Sequence, residues 1–159
     1  MKLENTRKRI DFVHVEGCNK MKIYNKTFPQ AKPGYVAQEA QFLKIAADHG
    51  LSPKFVGTDN KTYIDMEDLD EMNVGDMWGE NIECIPPNIL AGMFSIIWTL
   101  YYVHNIEYRD VWPRNFVEKD GRVWIIDFGD AREKSDEIDD YLGEILAAGK
   151  ITHWNKEFL

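Results

Sequence analysis

Residues 108–129 read YRDVWPRNFVEKDGRVWIIDFG, and the fold turns on how this stretch is read. Asn115 follows Asp110 by five positions, and two apolar runs, Phe116-Val117 and Val123 to Ile126, separate Asn115 from Asp127. Lys119-Asp120-Gly121 lies between the runs, which predicts a short hairpin with a three-residue loop closed by Gly121 in a left-handed conformation. In that register Glu118 faces Arg122 and Asn115 faces Ile125. Side chains alternate along a strand, so Asp127 shares the face of Ile125 and meets Asn115 at one end of the hairpin, beside Asp110. Two carboxylates and an amide oxygen form a hard-oxygen set suited to Mg²⁺ and a phosphate ester. A two-residue Asp-Gly turn would slip the register by one and send Asn115 and Asp127 to opposite faces.

Upstream, Ile10 to Val15 and Lys20 to Tyr24 read as paired strands separated by the turn-forming stretch Glu16-Gly17-Cys18-Asn19. Lys20 and Lys22 share one face of the second strand, Met21 and Ile23 the other. From Val36 to His49 the apolar residues Val36, Ala40, Leu43 and Ala47 recur with a helical period, and Gly50 is placed to end that helix. Glu39 lies off this stripe. Leu51 to Gly57 is a loop entering a strand, and Thr62 to Met66 is the next strand. Asp70 to Ile85 is acidic and irregular, with at most a short helix around Val74 to Trp78. Pro86-Pro87 then opens a helix at the position proline tolerates. Apolar residues cover most of the circumference from Asn88 to His104, which predicts a buried central helix. Past Gly129, Tyr141, Leu142, Ile145 and Leu146 return to helical spacing.

With 159 residues, 44% of them hydrophobic and 29% charged, the chain is long enough for one domain with a real core. A formal net charge of −8 argues against direct nucleic-acid binding or an anionic membrane as its main partner. Four basic residues near the N-terminus, Lys2, Arg7, Lys8 and Arg9, read as a solvated surface. Cys18 and Cys84 are far apart and read as free thiols of a reducing compartment. No apolar run of signal-peptide or membrane-spanning length is present, so a soluble, intracellular and most simply cytoplasmic protein is expected. His14, His49, His104 and His153 lack metal-ligand spacing.

Tyr108-Arg109-Asp110, then Asn115, then Asp127-Phe128-Gly129 resembles the catalytic and magnesium loops of protein kinases. The acidic run and helix from Glu137 to Glu144 resemble the last helix of the small atypical kinases of the KEOPS tRNA-modification complex, with the RIO kinases the next nearest shape. The resemblance spans roughly Lys20 to Ala148. It implies an α+β fold, a truncated two-lobed kinase-like domain over residues 1–159. Residues 1–66 would be an N-lobe with a small antiparallel sheet and one helix, 67–70 a hinge, and 71–159 a reduced, mainly helical C-lobe lacking the peptide-binding half.

The resemblance also assigns roles. Asp110 would be the catalytic residue that accepts the proton of an attacking hydroxyl or positions it, and Lys22 would brace the α and β phosphates of ATP, oriented by Glu39. Met66 would line the adenine pocket, backbone groups of Glu67 and Leu69 would bond adenine, and Asn115 and Asp127 would hold Mg²⁺. The implied activity is an ATP- and Mg²⁺-dependent atypical serine/threonine kinase acting on or with a protein partner. Two features keep other readings open: no GxGxxG loop precedes Lys22, with only Gly17 nearby, and Trp112 stands where many protein kinases carry a lysine. The alternatives are a weakly catalytic pseudokinase-like regulatory module and an ATPase subunit of a larger complex.

Overall fold

The computed structural model describes the backbone of residues 6–14 and 20–158 and the side chains of residues 21–158. The architecture is α+β, with small antiparallel sheets and four α-helices among the described residues. The chain divides into two compact units, Met1–Asp70 and Glu71–Leu159. The turn expected at Glu16 to Asn19, with Gly17, the thiol Cys18 and Lys2 lie outside the described residues, as do the side chains of Arg7, Lys8, Arg9 and Lys20.

The first unit is a four-stranded sheet in the order β1-β2-β4-β3, formed by β1 (Thr6–His14), β2 (Lys20–Thr27), β3 (Phe55–Thr58) and β4 (Tyr63–Glu67). All neighbours are antiparallel, and β1 carries an irregularity between Ile10 and Val13. β2 runs three residues beyond the Tyr24 limit expected from sequence. The extension is held by the ladder to β4, which pairs Asn25 with Asp65, Lys26 with Ile64 and Thr27 with Tyr63. Asn25 also donates its side-chain amide to Asp65 Oδ1 at 2.5 Å, a cross-strand polar pair of the kind that fixes register.

Helix α1 (Tyr35–Asp48) packs on this sheet and buries Val36, Ala40, Phe42, Leu43 and Ala46. Gly50, at φ 72°, closes it. Gly50 N–H reaches Ala47 O and Leu51 N–H reaches Ala46 O, the paired bonds of a Schellman end that needs a left-handed residue. Between β3 and β4, Asp59 Oδ1 accepts the N–H groups of Lys61, Thr62 and Tyr63, and the Thr62 hydroxyl first, with these backbone bonds, holds the Asp59 carboxyl well below the usual carboxylate range.

In the second unit, α2 (Val74–Trp78) is capped by Asn73, whose side chain accepts from Asp76 N. Pro86 and Pro87 open α3 (Pro87–Tyr102), since a proline in the first turn removes an N–H that has no helical partner. The helix buries Ile89, Met93, Ile96, Ile97, Leu100 and Tyr101. It is not buried all round: Trp98, Tyr102 and Val103 are exposed, and the Tyr102 ring lies between the exposed Trp98, tilted against it, and the buried Tyr101, which it meets edge-on. Small pairings complete the unit, β5 (Ile106–Glu107) with β8 (Arg132–Glu133) and β6 (Phe116–Lys119) with β7 (Arg122–Ile125). α4 (Asp140–Ala148) is capped by Asp139 and buries Tyr141, Leu142 and Ile145. No helix among the described residues is long and apolar enough to cross a membrane.

The hairpin differs from expectation by one residue. Its ladder pairs Phe116 with Ile125 and Lys119 with Arg122, leaving a two-residue turn of Asp120 (φ 54°) and Gly121 (φ 79°). Positive φ at both positions is the twist-matched turn that tight hairpins favour. Asp120 tolerates it, so the shorter loop wins over the longer one.

Candidate functional site

The slipped register does not separate Asn115 from Asp127, because neither residue lies in the ladder. Asn115 ends a single 3₁₀ turn (Pro113–Asn115) begun by Pro113, and Asp127 follows the last strand residue. Ile126 N–H donates to Asn115 O at 3.0 Å, so both residues sit at the open end of the hairpin. Side-chain alternation argued from a regular strand does not apply to either.

Three contacts, one buried and two part-buried, fix this end. Asn115 is 6% exposed and its Nδ2 donates to Asp110 O at 2.9 Å. An amide whose nitrogen is committed in this way turns its oxygen to the opposite side. Tyr108, 1% exposed, donates its hydroxyl to Asp127 O at 2.6 Å. Its ring meets Phe116 and Phe128 edge-on, with centroids 6.0 and 5.7 Å apart, the arrangement aromatic quadrupoles prefer. Asp127 Oδ1 accepts Gly129 N–H at 2.8 Å, which folds the Asp-Phe-Gly turn back on itself. Asp110 is 7% exposed. The donor chemistry present, a carboxylate at Asp127 and an amide oxygen at Asn115, fits a hard divalent cation. No group of three or more His, Cys, Asp or Glu suited to a metal occurs among the described residues.

Arg114 is directed away from this set. It bonds Glu80 Oε1 at 2.8 Å and pairs with Asp76, and these carboxylates raise its affinity for its proton. Glu107, fully buried in β5, pairs with Arg132 Nε and receives weaker contacts at 3.4 Å from Ser135 Oγ and Asp139 N. That cluster ties residues 132–139, which follow the Asp-Phe-Gly turn, to the strand that leads into Tyr108.

In the first unit, Glu39 does not meet Lys22. Lys26 Nζ lies 2.5 Å from Glu39 Oε1, with side chains 1% and 5% exposed. Lys22 pairs instead with Asp70 at 2.6 Å, with side chains 21% and 63% exposed. The physical reason is the length of β2: once the strand continues to Thr27, Lys26 is the lysine opposite Ile64 on the face that α1 covers. Glu39 is likewise on the buried face of α1, three residues from Val36 and four from Leu43, rather than off it. Phe28, next but one along the strand, places its ring 5.1 Å from Lys26 Nζ.

Met66 is buried on that same face, 4% exposed. Glu67 N–H is committed to Lys54 O at 2.8 Å, and Asp68 N–H to Lys22 O at 2.7 Å; Leu69 is half-buried. The structure thus brings Lys26 to Glu39 in one unit, and Asp110, Asn115 and the backbone of Asp127 together in the other. Sequence reasoning missed Lys26 and the hydroxyl of Tyr108. Lys26 has a signal, since Tyr24, Lys26 and Phe28 continue the alternation of the strand across Asn25 and Thr27. Compared with known protein families the chain matches no family model, and it matches no curated protein.

Proposed function

We propose that the chain is an ATP- and Mg²⁺-dependent phosphotransferase, an atypical serine/threonine kinase that acts on or with a protein partner. One observation carries this reading: the buried ion pair of Lys26 and Glu39. Removing two charges from water costs several kcal/mol per ion, and packed apolar residues of similar volume serve stability as well or better. A lysine buried there and held by a helix glutamate has a reason to exist if it meets a polyanion. Strand lysine and helix glutamate form the pair that kinases use to brace nucleotide phosphates. In this reading Lys26, not Lys22, takes that role.

The second unit supports the same chemistry. Asn115 and Asp127 would hold Mg²⁺, which neutralises charge on the nucleotide phosphates. Asp110 would orient the attacking hydroxyl and take up its proton. Its position is set by the Asn115 amide on its own carbonyl, and Tyr108 sets the height of Asp127 through its carbonyl. Phosphoryl transfer asks little more of a protein than such placement and charge neutralisation.

The test is transfer from γ-labelled ATP by purified protein with Mg²⁺, with Asp127→Ala and Asp110→Asn as controls. Label on protein or on an added protein acceptor, lost in both variants, is the expected result. Free phosphate alone would make the chain an ATPase. If MgATP neither raises the thermal midpoint of the wild type nor is turned over, and Asp127→Ala behaves identically, the phosphotransferase reading is wrong.

A further inference from the structure

Asn155 lies after α4, in a segment that the chemistry above does not use. It is 4% exposed, and a buried amide persists where its hydrogen bonds are made. Its Nδ2 donates to Arg109 O at 2.8 Å, its backbone N–H donates to Val111 O at 3.4 Å, and its Oδ1 accepts Glu157 N–H at 3.1 Å. The carbonyl between those two, Asp110 O, is the one that accepts Asn115 Nδ2. Three consecutive carbonyls, those of Arg109, Asp110 and Val111, are therefore held by two buried asparagines.

The neighbours of Asn155 are anchored as well. Trp154 Nε1 donates to Glu80 O at 2.7 Å, and its ring meets Trp112 edge-on at 6.3 Å. Phe158 lies 5.3 Å beneath the Arg109 guanidinium, whose Nε donates to Asp130 O. On the other side Tyr141 donates its hydroxyl to His153 O at 2.7 Å. The segment from Ile151 to Phe158 is thus fastened to α4 and to the loop bearing Asp110.

We infer that Asn155 is a positioning residue for Asp110. The inference rests on the phosphotransferase reading and adds a part to it. Of the two peptides flanking Asp110, the one before it is held at Arg109 O by Asn155 and by Val111 N–H, and the one after it is held at Asp110 O by Asn115, which together set the direction of the Asp110 Cα–Cβ bond. Asn155 touches no reacting group; it acts through the backbone of residues 109–111.

Asn155→Asp tests this in the full chain. It keeps the Oδ1 acceptor and the backbone N–H but sets a carboxylate oxygen against Arg109 O. We expect kcat to fall about 10- to 100-fold, as a displacement near 1 Å does. The KM for ATP should stay within about twofold, because loss of placement alone leaves substrate binding intact. Backbone amide exchange should quicken in residues 109–112 and not in α1 or the β6–β7 hairpin. A variant with wild-type kcat, an equal rise in KM, or exchange raised throughout the chain overturns the inference. Should Asn155→Asp fail to fold, Asn155→Ala removes the donor without adding charge and carries the same comparison. A wild type that neither binds nor turns over MgATP would defeat the phosphotransferase reading itself, whereas an active wild type with an equally active Asn155→Asp defeats the positioning role alone.

Discussion

Among the described side chains, strand β2 carries two lysines on one face, four residues apart, each with a carboxylate partner at nearly the same distance. Lys26 meets Glu39 at 2.5 Å with both side chains buried, and Lys22 meets Asp70 at 2.6 Å with 63% of the aspartate side chain exposed. Distance does not distinguish them. Burial does, because water and salt screen the outer pair to a median worth of about 0–1 kcal/mol. The inner pair has already lost its hydration, so each charge depends on the other. The outer pair behaves as a surface contact that pins residues 68–70. The inner pair is a poor stability device and a good way to hold a cation ready.

The largest effect should come from breaking the inner pair on one side. Lys26→Met strands the Glu39 carboxylate and is expected to cost about 3–5 kcal/mol, read from urea unfolding. The double variant Lys26→Met/Glu39→Leu should recover most of that loss while phosphoryl transfer stays about 10²- to 10³-fold down. A double variant as unstable as the single would mean that the pair itself holds the fold. An intermediate case lies in the second unit, where Glu107 is fully buried and Arg132 is 37% exposed. Arg132→Ala is expected to cost about 2–3 kcal/mol, less than Lys26→Met because part of the charge-assisted bond is wet. A loss equal to that of Lys26→Met would break the ranking by burial.

Lys22→Ala should shift stability by less than about 1 kcal/mol, and raising the salt should erase the difference. The smallest effect belongs to Asp59. Its carboxyl binds protons more weakly in the folded than in the unfolded chain. Its contribution is therefore full above the unfolded pKa, near 4, and is lost as pH falls further. Asp59→Asn should unfold with a shallower dependence on pH below about 4 than the wild type. An unchanged acid limb would show that the turn bonds contribute nothing.

Much of the fold was legible because local signals agreed. Gly50, Pro86-Pro87 and the Asp120-Gly121 pair each mark a boundary through backbone geometry, and the helices and strands fall beside them. What failed did so where tertiary pairing overrides local appearance. Asn25, Lys26 and Thr27 look like the end of a strand, and only the ladder to β4 keeps them in it, so the wrong lysine was matched to Glu39. The sequence points to a hairpin loop one residue longer than the structure has, because Asp120 accepts positive φ at a cost that sequence alone does not rank. Helix α3 looks buried all round because Leu90, Phe94 and Val103 widen its apolar stripe, although Leu90 and Phe94 are only half-buried and Val103 is exposed. The proximity of Asp110, Asn115 and the backbone of Asp127 was legible from their spacing. Asn155 had no such signal, since the carbonyls it donates to lie more than forty residues away in sequence.

The most direct measurement of the central claim compares phosphoryl transfer from γ-labelled ATP by Lys26→Met/Glu39→Leu and by Lys22→Met, each at a temperature where both are folded. The buried pair as phosphate brace predicts that the first loses about 10²- to 10³-fold in kcat, the usual loss when a preorganised charge is removed. The second should stay within about threefold of the wild type, as a screened surface pair allows. A fully active Lys26→Met/Glu39→Leu, or a dead Lys22→Met beside it, would contradict the account.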